Sequence, residues 1–192
     1  LKTLDESYDS RLMMHLLHSP VQDGGQWDMF VNLIEKYGVV PQSVMAESFQ
    51  SSQSRMMNQF LTRKLREFAW RLREMNGKGK KLSDLRKEKV EMMSTIYSML
   101  CVCLGNPPEK FDWQTRDKKN KFIRLTDLTP VDFYKKHSNV SLRDKVCLIH
   151  APMSNKKMNE LYTVSFLGNV VGGQKIKYAN VKIEDIKRAA IK

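Results

Sequence analysis

The sequence predicts an α+β chain, and three observations lead there. Apolar residues recur at three- and four-residue spacing through roughly the first hundred positions, the signature of amphipathic helices. From Phe111 onward the texture changes to short runs rich in β-branched and aromatic residues. Between the two stands Gly105-Asn-Pro-Pro108, a break that no helix crosses.

The elements follow in order. After Asp23-Gly24-Gly25, the residues Trp27, Phe30, Val31 and Ile34 share one helical face. Tyr37-Gly38 ends that helix, because glycine adopts the left-handed turn at least cost. Val39-Val40-Pro41 is an extended exit, since a residue before proline avoids the helical region. Residues 48–54 are polar and turn-like and offer several N-caps. Met57, Leu61, Leu65, Phe68, Leu72 and Met75 then define a long helix with Arg63, Arg66 and Arg73 on its outer face. Asn76-Gly-Lys-Gly-Lys-Lys81 breaks it, and Ser83 is the expected cap of a second helix. That helix runs through Val90, Met93, Tyr97, Leu100 and Leu104, completing an αα-hairpin. Four strands are expected at Phe111-Asp-Trp113, Phe122-Ile-Arg-Leu125, Val146-Cys-Leu-Ile149 and Leu161-Tyr-Thr-Val-Ser-Phe166. Thr129-Pro130 reads as a helix start with proline at its first position. Gly168-Asn-Val-Val-Gly172-Gly173 is a glycine-punctuated turn, and a last helix begins at Ile183.

Composition narrows the function. The 192 residues carry 33 Lys and Arg against 21 Asp and Glu, a net charge of +12. Hydrophobic residues at 41% and charged residues at 28% exclude disorder, collagen and a coiled-coil rod. No apolar run approaches the ~20 residues of a membrane span. Three cysteines, an odd number, argue against a secreted disulfide framework and for a reducing, cytoplasmic setting. The chain opens on Leu1 and stops within an expected helix, so it reads as a piece of a longer protein whose sites are incomplete.

The charge concentrates in residues 55–90, which hold 12 basic and 4 acidic side chains. Arg63, Lys64, Arg66, Arg71, Arg73, Lys78, Lys80 and Lys81, with Trp70 among them, could contact phosphates and stack on a base. No nucleic-acid fold motif accompanies them, and a solvated helix face is the plainer reading.

No metal or cofactor site is expected. His15 and His18 lack further ligands at zinc spacing. Cys101 and Cys103 diverge by about 200° on a helix and cannot grip one ion. Cys147 and His150 fall on opposite faces of a strand, out of reach for a nucleophile–base pair. Asn139-Val140-Ser141 is a formal glycosylation acceptor without a secretory signal. The Gly168–Gly173 segment lacks the spacing of a phosphate-binding loop.

The run Asp23-Gly-Gly-Gln-Trp-Asp-Met29, continuing to Tyr37-Gly-Val-Val-Pro41, resembles the bleomycin hydrolase and aminopeptidase C family of papain-like cysteine peptidases. The resemblance recurs at Asp9-Ser-Arg-Leu12, Leu65-Arg-Glu-Phe68, Leu104-Gly-Asn-Pro-Pro-Glu109, Thr129-Pro130 with Phe133-Tyr134, and Leu167-Gly-Asn-Val-Val-Gly-Gly173. The blocks are individually modest, and their order and spacing make the match specific. Many papain relatives carry a disulfide-bonded Cys just before the Gly-Gly pair, where this chain has Val21-Gln22-Asp23.

The resemblance implies a fragment of a papain-like fold. Residues 1–50 would be the later part of its helical half, with Gly24 and Gly25 as a substrate edge. Residues 51–110 would be a basic helical-hairpin insertion, 111–182 a β-containing insertion, and 183–192 the start of the barrel half. The implied parent is a cytoplasmic thiol aminopeptidase acting on peptide and amide bonds and assembling as six-subunit rings. The plain chemistry of Gly24-Gly25 agrees: an extended substrate needs a backbone to pair with, and only glycine lets another main chain come close. By resemblance Gly25 would exchange hydrogen bonds with the substrate, and Gln26 and Trp27 would line the adjoining pocket. The plainer reading is a tight turn. The family's catalytic Cys, His and Asn match no position of this sequence, so no catalytic residue is assigned. The alternative function is a non-catalytic basic helical module that binds nucleic acid or a partner protein.

Overall fold

The computed structural model describes residues 1–21, 24–138 and 140–191, so Gln22, Asp23 and Asn139, with the acceptor motif at Asn139, lie outside the described residues. In chain order the elements are α1 (Arg11–His18), α2 (Trp27–Tyr37), α3 (Phe49–Ser52), α4 (Arg55–Gly77), α5 (Leu82–Leu104), β1 (Phe111–Arg116), β2 (Phe122–Leu128), α6 (Pro130–His137), β3 (Cys147–Ile149), β4 (Glu160–Tyr162), β5 (Tyr178–Asn180) and α7 (Ile183–Ala190). The α+β class holds. Two compact units divide these elements: Leu1–Asp23 with Met45–Pro107, and Gly24–Val44 with Pro108–Lys192. No helix among the described residues is long and apolar enough to cross a membrane.

The first unit is helical. Ser10 caps α1 by accepting from the Met13 N–H at 3.2 Å. The polar stretch expected as a turn instead winds into the single turn α3, because the Ser48 hydroxyl accepts from the Ser51 N–H at 3.2 Å. The hairpin of α4 and α5 forms as expected, burying Leu61 and Phe68 against Leu85 and Met92. Two details differ. The cap position of α5 is Lys81, so Ser83 lies inside the first turn. The stripe expected to be covered is open: Val90 is 66% and Tyr97 56% exposed. Helix α5 is apolar on two sides, and periodicity alone does not say which side meets α4.

The basic face of α4 also departs from expectation. Arg66 donates from Nε to the Leu17 carbonyl and from Nη2 to the His18 carbonyl, each at 2.6 Å. These are carbonyls at the end of α1, which have no partner within their own helix. Arg73 donates to the carbonyls of Thr3 and Glu6 and lies 4.7 Å from the Tyr8 ring centroid. Arg71 pairs with Glu88 at 2.8 Å. Arginine's forked guanidinium reaches two carbonyls at once, and here it serves the fold.

The second unit is mixed. Strands β1 and β2 form an antiparallel hairpin whose turn is shaped by Asp117, accepting from the N–H groups of Lys119 and Lys121 at 2.8 and 2.9 Å. A bulge sets Thr126 and Asp127 against Asp112, with Asp127 at φ 55°. The Asp127 N–H, then the Arg124 guanidinium, hold the Asp112 carboxyl below the usual aspartate range. Thr129 caps α6 by accepting from the Asp132 N–H at 3.1 Å, with Pro130 in the first turn. Phe133 then meets Phe111 and Trp113 edge-on, with ring centroids 5.6 and 5.1 Å away.

The other sheet has the order β3-β5-β4, with β5 parallel to β3 and antiparallel to β4. The central strand β5 carries no signal of its own in the sequence, and β4 stops at Tyr162 because β5 offers only three residues to pair with. Asn180 on β5 is completely buried and fully bonded. Its Oδ1 accepts from the Ala151 N–H, and its Nδ2 donates to the carbonyls of Ala151 and Lys157. The core beside α2 is Val31, Ile34 and Leu142, with Trp27, Val39 and Tyr134 packed against it.

Candidate functional site

Gly24, Gly25 and Gln26 form a short exposed edge that leads into α2. Gly24 sits at φ 132°, a conformation that side chains rarely tolerate, and a Cβ built there meets nothing within 4 Å. A Cβ on Gly25 would meet only Met29, at 3.4 Å from Sδ. Among the described residues no group accepts from the Gly25 N–H or donates to its carbonyl.

Gln26 is extended at φ −98° and ψ 159°, and its carbonyl accepts from the Met29 and Phe30 N–H groups at 3.0 and 3.2 Å. That starts the helix and leaves the Gln26 carboxamide exposed. Trp27 is more committed. Its Nε1–H donates to the Leu142 carbonyl at 3.2 Å, its ring joins the Val31–Ile34–Leu142 core, and the Lys145 ammonium stands 5.8 Å from the ring centroid. Phe30, expected on the covered face, is 49% exposed and leans on Trp27 with centroids 5.7 Å apart.

What secures α2 lies far along the chain. The glycine-punctuated stretch forms its turn, the Gly173 N–H donating to the Val170 carbonyl at 3.0 Å, and the chain from 171 to 177 bonds to the helix. Asp28 Oδ2 accepts from the Lys177 N–H at 2.7 Å, and the Asn32 amide exchanges two bonds with Gln174. Lys36 Nζ reaches the Val171 carbonyl at 2.7 Å. Nearby, Glu35 holds the Arg143 guanidinium, raising its already high pKa through that bond. Burial, then Cys147 and Asp28, push the Tyr178 phenol up.

The three thiols are free and half-buried. Cys147 faces Tyr178 across the β3–β5 pair, while His150 Nδ1 lies 2.9 Å from the Val181 carbonyl. The two do not form a nucleophile–base pair, in line with their strand spacing.

Comparison with known proteins places the chain in a family. Bleomycin hydrolase of Homo sapiens is 42% identical over 185 residues, which are 95% of this chain and 41% of that protein. Aminopeptidase C of Listeria monocytogenes is 44% identical over 190 residues, 99% of this chain and 42% of that one. The crystal structure of PepW from Lactobacillus rhamnosis superposes with a TM-score of 0.94 at 44% identity, covering 99% of this chain and 43% of that chain. The chain thus spans about two fifths of the length of these relatives. The model of the Peptidase C1-like family matches residues 1–192, and the chain therefore belongs to that family of papain-like cysteine peptidases.

Proposed function

We propose that this chain is the central portion of a cysteine aminopeptidase of the bleomycin hydrolase type, contributing the backbone edge on which an extended peptide or amide substrate lies. The observation that carries the reading is the Gly25 main chain, exposed and without a bond to any described residue, set at the start of an anchored helix. Gly25 exchanges hydrogen bonds with the substrate residue beside the scissile bond, and the exposed carboxamide of Gln26 lines the adjoining pocket. Trp27 borders that pocket with its ring, its indole N–H being already bonded to Leu142. A papain-type Cys, His and Asn outside this chain supply the chemistry. The thiolate attacks the carbonyl, the amine leaves with a proton from the histidine, and water releases the acyl group.

A cytoplasmic location and a six-subunit assembly belong to the same proposal. The exposed Val90, Met93 and Tyr97 give the hairpin an apolar face suited to assembly. The alternative, a basic module for nucleic acid, is weaker in the folded chain. Arg66 and Arg73 are bound to backbone carbonyls and Arg71 to Glu88, which leaves fewer free cations for phosphates.

Gly25→Val in the full-length enzyme tests the edge. A branched side chain there occupies the space of the substrate backbone, and kcat/KM is expected to fall ten-fold or more, equivalent to about 1.4 kcal/mol. Unchanged peptide kinetics would remove Gly25 from the substrate site.

A further inference from the structure

Helix α2 presents three polar side chains one turn apart, Asp28, Asn32 and Lys36, and each binds main chain of residues 171–177. The pairing is antiparallel: 28 with 177, 32 with 174, 36 with 171. Asn32 is the middle contact and is only 6% exposed. Its Nδ2 donates to the Gln174 carbonyl and its Oδ1 accepts from the Gln174 N–H, both at 2.9 Å. A Cβ on Gly173 would stand 3.0 Å from Asn32 Cγ, tighter than side chains normally allow, so the approach is close as well as bonded. On this segment Ile176, 2% exposed, is driven into the interior. Past 177 the chain becomes β5, the central strand of its sheet.

This places a rail of bonded main chain along α2, and the Gly24–Gln26 edge leads into the first turn of that helix. An edge that pairs with substrate through one or two backbone bonds needs its position held to about half an ångström. Trp27 fixes the helix start toward Leu142, and the rail fixes the helix against rotation on another side. We infer that Asn32, bonded at both ends to Gln174, is a positioning residue that sets the Gly24–Gln26 edge for substrate. This rests on reading that edge as the substrate site.

A purely structural role is separated from a positioning role by a matched buried amide. Asn180 lies in the same unit, is fully buried, and bonds backbone at both ends of its amide, at Ala151 and Lys157 rather than on α2. Asn32→Leu, Asn180→Leu and Gly25→Val are made in the full-length enzyme and assayed with an aminoacyl-amide substrate, at a temperature where each is folded. Asn32→Leu is expected to raise KM at least three-fold with kcat within two-fold, the mark of lost binding common to ground and transition state. Asn180→Leu is expected to leave KM within two-fold. Amide exchange at Met29 and Phe30, whose N–H groups bond the Gln26 carbonyl, should quicken ten-fold or more in the Asn32 variant relative to the Asn180 variant. If Asn32→Leu does not fold, Gly173→Ala carries the comparison, since it wedges the rail from Asn32 without unpairing it. A KM and exchange rate no more changed than in Asn180→Leu overturn the positioning role, while a fall in kcat/KM for Gly25→Val keeps the edge. Unchanged kinetics for Gly25→Val overturn the edge and this inference together.

Discussion

Gly38→Ala should cost about 4 kcal/mol or more of folding stability, among the largest losses a single methyl can cause. Gly38 closes α2 at φ 74° and ψ −161°, a region open essentially to glycine alone. A Cβ there would lie 2.0 Å from the Pro130 carbonyl carbon and 2.3 Å from the Val131 nitrogen. Neither atom can swing aside cheaply. Both belong to the start of α6, which is pinned by the Thr129 cap and by the Val39 N–H donating to the Pro130 carbonyl at 3.1 Å. Gly79 supplies the control: its φ is 72°, yet nothing lies within 4 Å of its Cβ. Gly79→Ala should therefore cost only the backbone strain, about 1–2 kcal/mol. Urea denaturation of both variants, with exchange of the α2 and α6 amides, makes the comparison. Equal losses would show that the approach of Gly38 to Pro130 is not tight.

The second large effect is an expected zero: this 192-residue chain by itself should hydrolyse no peptide. Acyl transfer needs a thiol and a base within about 3 Å of each other. Cys101 and Cys103 stand in the last turns of α5, and Cys147 lies on a strand beside Tyr178. Among the described residues none is hydrogen-bonded to a histidine. His150 is turned to the Val181 carbonyl, and His137 leans on the Phe133 ring. None of the three thiols follows a helix N-terminus, where a thiolate would be favoured. A fluorogenic aminoacyl-amide with a thiol-directed inhibitor reads the result. Inhibitor-sensitive turnover that disappears with Cys101→Ser, Cys103→Ser or Cys147→Ser would place an active site inside this chain.

What the sequence disclosed follows the range of the forces involved. Helices α2 and α6 were legible because their ends are set locally, by Gly38 at one and by Thr129-Pro130 at the other. The break at Gly105 and the hairpin of α4 and α5 were legible for the same reason. The inward face of α5 was not, since Leu85 with Met92 and Val90 with Tyr97 make equally good stripes and only the partner helix chooses between them. Strand β5 has three residues and owes its place to pairing with β3 and β4. Arg66 and Arg73 looked like surface charge, because the carbonyls they bind lie 48–70 residues away along the chain. The Gly24–Gln26 edge was readable as a motif, but the rail that secures α2 joins residues 135–149 apart and leaves only Gly173 as a local trace.

The rail also bears on how this part of the molecule can drift. Helix α2 grips atoms that every amino acid possesses: a carbonyl at 171, an N–H and a carbonyl at 174, an N–H at 177. The side chains there point to solvent, Val171 being 88% exposed, so they are nearly silent in the contact. Position 171 can accept almost any residue, and 174 and 177 any that keeps its N–H, which bars only proline. The information that specifies the contact is stored on the other partner, in Asp28, Asn32 and Lys36, and in the missing side chain of Gly173. A library of variants would accordingly find positions 171, 174 and 177 permissive beside an intolerant helix face, two neighbours with opposite freedom to change.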